Sequence, residues 1–342
     1  MFKFINELKE INHLSKSSTV SRQELADRME KIELPPWLSF ISKYLTTIEV
    51  LIMWSVPSLI SIVILKISIQ TSDSSQYLLM LLALISFLFS FILIGGVFAT
   101  IGKIGVIEGK FPRSYKHPIY ALRRIYGTAW SQIYYFKPFY SLCLSIPSLR
   151  KLLFRAFGYK GDMSFITYPD SWIRDLPLLR IGKNVYLANR CVVGTNLCLN
   201  DSSILVGKCT FGDHSMVGHL AIFGLGCELG ERSEIGVNAG LGIRVKIKDN
   251  SSIGPMALVY HASKIGSRVK VGAASVIGIK CTIADDVEIK PGSIIPPGTI
   301  ITNQKEADNC FAGETKILTD QTDALFKLLA EHLKNETTIK TT

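Results

Sequence analysis

From Ile181 to Ile301 every sixth residue is apolar, with no exception and no break in the count. The ladder runs through Val193, Phe211, Val217, Phe223, Ile235, Ile265 and Ile289, among others. Two positions before most rungs sits a compact residue, such as Cys191, Ser203, Ser215, Ala221 or Ser233. One position after, glycine dominates, as at Gly182, Gly212, Gly218, Gly236 and Gly254. A period of six matches neither the helical repeat of 3.6 nor the strand repeat of two. It predicts a parallel β-helix in which each unit is one short strand and one corner. The aliphatic residue fills the core, the compact residue fits inside the corner, and glycine relieves the backbone where the chain turns. Three units make one coil, so the ladder predicts about seven stacked coils, with direct neighbours eighteen residues apart.

A different pattern precedes the ladder. Two apolar runs, about 50–69 and about 77–102, are each long enough to cross a bilayer as a helix. Pro57 is a kink point in the first, and Lys66 near its end is placed to snorkel. The connecting stretch QTSDSSQ has no Lys or Arg, whereas Lys43, Lys103, Lys110, Arg113 and Lys116 flank the outer ends. The positive-inside rule then puts both ends in the cytoplasm and the hairpin tip outside. The alternative is a buried helix pair in a soluble protein, which the length and uniform apolarity of the second run oppose.

Charge adds one feature. Lys and Arg number 38 against 28 Asp and Glu, a formal net charge of +10. From Lys110 to Lys160 there is no acidic residue, and Lys116, Arg123, Arg124, Lys137 and Arg150 are interleaved with aromatics such as Tyr120, Tyr126, Trp130, Tyr134 and Tyr140. This composition suits short helices lying on an anionic membrane face. It also suits single-stranded nucleic acid, but adjacency to a membrane hairpin makes lipid the expected neighbour. Pro138 and Pro147 break the segment. The seven cysteines follow no metal spacing, and Cys191, Cys209, Cys227 and Cys281 occupy the compact corner slot, so they read as reduced and structural.

The expected order is therefore a helical segment over 1–46 opened by a capping box at Ser21 and Glu24, then a membrane hairpin over 47–103. Basic aromatic helices follow over 104–162, and then the β-helix over 163–306. Residues 163–180 form an irregular cap on its open end. The last segment, 307–342, holds an amphipathic helix near 320–336 and a tail. No apolar core of signal-peptide type follows the first lysines.

The repeat and its ending SIIPPGTII resemble the hexapeptide-repeat acyltransferases, whose fold is a left-handed parallel β-helix. Membrane runs followed by LRKLLFRAFGYKG and then the coils look like the membrane-bound members, including the C-terminal region of polylysine-synthetase-type peptide synthetases. The resemblance implies a homotrimer with sites between subunits and an acyl thioester donor. It also implies a catalytic histidine third in a unit.

In such a fold the core is filled, so chemistry belongs to the outward third and fourth positions of the corners. Three histidines occupy them: His214, His219 and His261. His219 is third in its unit and is the expected general base, since imidazole titrates near working pH. The eighteen-residue spacing stacks Asp201 before it, as an orienting carboxylate, and Val237 after it. Backbone N–H groups near Gly236, Val237 and Asn238 would receive the developing oxyanion. Leu220 stands where several relatives carry an acid. His261, also third in its unit, is the second choice, stacked between Ile243 and Ile279 without a polar partner. His214 reads as a solvated corner.

The five-residue spacing of His214 and His219 resembles the γ-class carbonic anhydrases. No histidine lies between His117 and His214 to complete a zinc site, so no metal is expected.

The donor, acyl-CoA with acetyl-CoA foremost or else an acyl carrier protein, calls for basic groups along the later coils. Lys264, Arg268 and Lys270 are the candidates, with Arg244, Lys246 and Lys280 nearby. The sequence thus predicts a membrane-anchored acyltransferase acting on a glycan, lipid-linked or other envelope-associated acceptor. Nucleic acid is not an expected partner. The competing expectation is a non-catalytic, membrane-tethered scaffold or glycan-binding module with incidental histidines.

Overall fold

The computed structural model describes residues 33–71 and 73–310. The helix expected from Ser21 and the amphipathic helix expected near 320–336 lie outside the described residues.

Helix α1 (Pro36–Gln70) and helix α2 (Ser75–Gly102) form an antiparallel hairpin. Both are long and apolar enough to cross a membrane, and only 17% and 22% of their most apolar stretches are buried. Most of the apolar surface of both helices is thus left uncovered by the rest of the described residues. Small residues let neighbours approach α2 closely. A Cβ at Gly96 would lie 2.9 Å from the Ala156 Cβ, and one at Gly102 would lie 2.8 Å from the Leu122 carbonyl oxygen.

Three shorter helices follow: α3 (Pro118–Tyr135), α4 (Lys137–Ser145) and α5 (Pro147–Ala156). Each has a proline in its first turn, where the missing N–H costs nothing and the fixed φ suits a helix start. The aromatics of this segment do not form an outward belt. Tyr126, Trp130, Tyr140, Phe154 and Phe157 are wholly buried and meet edge to face. Trp130 donates from Nε1 to the Ile173 carbonyl, and Tyr126 donates to that of Phe157. Beside them the buried Arg123 pairs with Asp175, which also accepts from the Thr195 hydroxyl. This network ties α3 to the start of the coils.

The repeat region is a parallel β-solenoid. The first and third of its three faces carry seven strands each and the second carries six. The first face includes Ile166–Thr167, Tyr186–Leu187, Met216–Val217 and Glu234–Ile235. On the second lie Val192–Val193, Ile222–Phe223, Gly240–Leu241 and Leu258–Val259. The third includes Leu179–Ile181, Cys209–Phe211, Glu228–Leu229 and Lys246–Ile247. Residues expected to form an irregular cap instead open the solenoid, since Ile166 pairs with Tyr186 and Trp172 bridges to Val192.

The ladder residues Val217, Ile235, Ile253, Ile265 and Ile277 fill the core. Each stabilises by roughly 1.5–3 kcal/mol relative to exposure. The compact corner serines are satisfied as well as small. Ser251 donates to the Gly266 carbonyl and accepts from the Val269 N–H. All seven cysteines are free thiols. Burial pushes Cys191 up to about 11 and Cys227 up to about 12, so the corner thiols stay protonated.

From Met216 onward, paired strands are eighteen residues apart. Earlier they are not. Tyr186 pairs with Met216 and Val192 with Ile222, an offset of thirty. The extra twelve residues leave the coil as an antiparallel hairpin, Asn196–Cys198 with Ser203–Val206. A strand that follows α2, Gly109–Pro112, pairs with this hairpin. The expectation of an uninterrupted ladder is therefore corrected. Twelve is two whole units, so the count of six passes through the excursion unchanged.

Candidate active site

Each solenoid unit turns at its third and fourth residues, and the fourth takes a left-handed backbone even without glycine. Leu220, Asn238, Arg244 and Arg268 have φ of 59°, 55°, 57° and 57°. The side chain of the third residue therefore stands on the corner, stacked on the third residues of the adjoining coils. Gly218 precedes His219 for a steric reason, since a Cβ there would lie 2.7 Å from the Ile235 carbonyl oxygen. Gly236 is under the same constraint, 2.6 Å from the Pro255 nitrogen.

The three histidines stand on three different corners. His219 follows the strand Met216–Val217 and marks the corner between first and second faces. His261 follows Leu258–Val259, between second and third. His214 follows Cys209–Phe211, between third and first. No group of three His, Cys, Asp or Glu side chains is placed to hold a metal among the described residues.

His219 is half-buried, and its imidazole makes no hydrogen bond among the described residues. The strand offset decides its neighbours. One coil on is Val237, as expected; the Asn238 N–H donates to the His219 carbonyl at 2.8 Å. One coil back is Asn189, not Asp201, and the Leu220 N–H donates to the Asn189 carbonyl at 3.2 Å. Asp201 lies at the tip of the excursion hairpin, paired with Lys110 at 2.6 Å. The Lys110 ammonium, then the Ser203 hydroxyl and N–H, hold its carboxyl down at about 2. The assignment of Asp201 as the orienting carboxylate fails because the excursion removes it from the stack.

The expected oxyanion donors divide. Asn238 N–H is committed to His219, whereas Val237 N–H has no acceptor among the described residues and Val237 is exposed. His261 proves to have a partner, since its Nδ1 accepts from the Ile243 N–H at 2.8 Å. Asp213, Asp249 and Asp285 do the same for Lys183, Glu231 and Ser267. A neutral imidazole accepting at Nδ1 carries its proton on Nε2, so in this arrangement His261 is a corner acceptor rather than a free base. His214 is exposed on its corner.

The basic candidates disperse. Arg268 is engaged by Asp286 through two contacts, 2.6 and 2.7 Å. Lys264 lies on the third face and Lys270 on the first, the only one of the three on a face adjoining the His219 corner. Sequence reasoning missed Asn189. The available signal was Leu197, the only large residue in the compact slot once the ladder is under way, which marks the unit that leaves the coil.

Fold and site together describe a hexapeptide-type β-solenoid carried on two long apolar helices; among the described residues His219 is half-buried on its corner without a side-chain hydrogen bond, and His214 is exposed on another. No family model matches the chain, and no curated protein matches it. Solved structures that it resembles include perosamine N-acetyltransferase from Caulobacter crescentus, a histidine-to-asparagine mutant in complex with CoA and GDP-perosamine. The identity is 16% over 45% of this chain and 58% of that one, with a TM-score of 0.18. A second is UDP-N-acetylglucosamine O-acyltransferase from Moraxella catarrhalis RH4, at 14% identity over 50% and 93% of the two chains and a TM-score of 0.16. Serine acetyltransferase isoform 3 from Entamoeba histolytica, in complex with cysteine, shares 11% identity over 89% and 93%, with a TM-score of 0.13. These are hexapeptide-repeat acyltransferases, but at such scores the likeness carries nothing about activity, and the strand pairing itself defines the solenoid.

Proposed function

We propose that this protein is a membrane-anchored acyltransferase with a left-handed solenoid, α1 and α2 crossing the bilayer and both chain ends in the cytoplasm. It moves an acyl group, acetyl in the simplest case, from coenzyme A to a hydroxyl or amine of a membrane-associated acceptor. An acyl carrier protein is the alternative donor. The observation that carries this reading is the His219 corner: an unpartnered imidazole one coil from an unoccupied backbone N–H at Val237.

The chemistry follows from those two groups. His219 takes the proton from the acceptor hydroxyl or amine as that atom attacks the thioester carbonyl carbon. The carbonyl oxygen becomes an oxyanion and accepts from Val237 N–H. The C–S bond then breaks, and the departing thiolate recovers the proton from the imidazolium. Asn189, one coil back, is the polar neighbour able to fix the imidazole orientation. Lys270, along the first face, is placed for donor phosphates.

A homotrimer fits the surface. Outward residues of the second face are Val192, Ile222, Gly240, Leu258, Val276 and Ile294, with Ile222 at 53% and Ile294 at 68% exposure. The corresponding positions of the third face include Glu228, Lys246 and Lys264. The apolar face borders the His219 corner, where Leu220, Val237 and Met256 are also exposed. A second copy seated there would wall the site and exclude water.

One observation favours the competing scaffold reading. His261 shows that a third-position histidine in this chain can serve the corner alone. The deciding experiment compares acyl-group masses on membrane glycans and lipids from cells with the wild-type protein, the His219→Ala protein and no protein. Loss of one acyl mass in both defective strains, with the variant folded and assembled, supports transfer. Identical spectra in all three support the scaffold.

A further inference from the structure

Helix α3 does not lie across the ends of the membrane hairpin. It runs back alongside it. A Cβ at Gly105 would meet Ile119 and Arg123, one at Gly102 would meet Leu122 and Tyr126, and one at Gly95 would meet Ile133. Further along, Phe91 packs on Phe136 and Phe139, with ring centroids 6.3 and 5.7 Å apart. On α1, Trp54 donates from Nε1 to the side-chain Oε1 of Gln132 at 2.9 Å and packs on Phe136 at 5.6 Å.

These contacts fix a depth. At 1.5 Å per residue, Phe91 lies about 21 Å along α2 from Tyr77, the first large apolar residue after the tip. Trp54 lies about 22 Å along α1 from Ile69. A hydrocarbon core is about 30 Å thick. Both helices therefore place the α3–α4 corner roughly 8–9 Å inside its cytoplasmic edge. The surface chemistry agrees. Between Ile125 and Ser148 the only charged residue is Lys137. Its ammonium is turned inward, 3.3 Å from the centroid of the Tyr134 ring, and donates to the Pro169 carbonyl at 2.6 Å. The corner exposes Tyr135, at 67%, and Pro138, and α4 carries the exposed face on through Leu142, Ser145 and Ile146, with no charged side chain among them.

Pro169 is not an arbitrary anchor. Through the strand pairing it occupies the same corner line as Asn189 and His219, two coils before His219. Trp172, in the same coil, packs on Tyr134 at 4.8 Å and Tyr135 at 6.1 Å. With strands about 4.8 Å apart, His219 stands roughly 10 Å along the solenoid from this seat.

We propose that the α3–α4 corner is a re-entrant wedge in the cytoplasmic leaflet, its exposed apolar side chains facing lipid acyl chains, and that it holds the His219 edge at headgroup level, which makes the acceptor a membrane-embedded amphiphile. The second half rests on the acyl-transfer reading; the first does not. The acceptor carries its hydroxyl or amine on or just beyond a lipid headgroup and reaches His219 by moving within the leaflet. A freely soluble glycan gains nothing from this placement.

Two measurements on the full chain in lipid vesicles test the halves separately. A fluorophore is attached at Leu142→Cys in protein whose accessible cysteines, Cys198 and Cys310, are replaced by serine. Nitroxide-bearing phospholipids should quench it several-fold more than the same label at Lys246→Cys, and aqueous iodide should do the reverse. Iodide quenching without lipid quenching at 142 would overturn the wedge. So would disulfide cross-linking of Leu142→Cys between copies without lipid quenching, because a second copy would then cover this face. Radiolabelled acetyl-CoA is next supplied with vesicles of the host's own polar lipid extract or with its water-soluble glycan fraction. Label entering the lipid fraction, and absent with His219→Ala, supports the acceptor class. Label in the soluble fraction alone overturns it. Label in neither overturns the transfer reading and the acceptor class with it, while the quenching result still decides the wedge.

Discussion

His219 and His261 occupy the same position of the same repeating unit, yet the solenoid uses them differently. His261 faces the Ile243 N–H of the preceding coil and accepts from it, as three aspartates do elsewhere on the surface. His219 faces Asn189 across an unusually long connection and is left with both ring nitrogens unengaged. Position in the repeat therefore does not assign a role. The coil behind the residue does. An imidazole already accepting from backbone has its tautomer fixed and its acceptor nitrogen used, whereas an unengaged one is available to a proton on a substrate.

The largest expected effect separates the two histidines. His219→Ala should lower kcat/KM for acyl transfer by about 100-fold or more, the usual contribution of a general base. His261→Ala should leave transfer within about threefold and cost roughly 0.5–1.5 kcal/mol of stability, one backbone hydrogen bond. His261→Asp should recover that stability, since Asp213, Asp249 and Asp285 already do this work. Steady-state kinetics and thermal unfolding check all three, and equal kinetic losses at both sites would dissolve the contrast.

A second, smaller effect concerns the neighbours. Asn189→Ala should reduce kcat by about tenfold and shift the acidic limb of the pH–rate profile, because it removes the polar group one coil back that is able to orient the imidazole during transfer. Asp201→Ala should change neither, being held by Lys110 at the hairpin tip. A pH–rate profile that moves with Asp201 and not with Asn189 would reverse this assignment.

Close stacking predicts a third effect, on the rung that positions Val237. Gly236→Ala forces a Cβ to 2.6 Å from the Pro255 nitrogen. It should destabilise by about 1–3 kcal/mol, the range for overpacking a rigid site. The matching change at Gly194, where the nearest backbone atom is 3.4 Å away, should cost less than Gly236→Ala in the same denaturation series.

The smallest effect is electrostatic. Asp201 titrates lower in the folded chain than in the unfolded one, so its contribution is present above the ordinary carboxylate range and is lost as pH falls toward about 2. Amide exchange in the 196–206 hairpin, relative to the late coils, should rise across that acidic window in wild type. The rise should be absent in Asp201→Asn.

The contrast between the two histidines also marks what the chain made legible. The solenoid could be read from the ladder because its period belongs to no other regular structure. The stacking partner of His219 could not, because the excursion consumes two whole units and leaves every apolar residue in phase. Only Leu197, too large for its slot, betrays it. The packing inside α3–α5 could not be read for a related reason. Composition shows that Tyr126, Trp130 and Tyr140 sit among basic residues, but not that they face one another. An aromatic at a bilayer surface and an aromatic in a small helical core have the same local sequence, and tertiary packing alone separates them.

The pairing of Gly109–Pro112 with the excursion hairpin has a mechanical consequence. A solenoid joined to its stalk by one covalent thread would swivel freely about it. Here a second strap, far along the chain from the first, crosses the joint and cancels that rotation. Torque on the distal coils is passed to the apolar helix pair rather than dissipated at a hinge, and the solenoid keeps a single compass bearing relative to it.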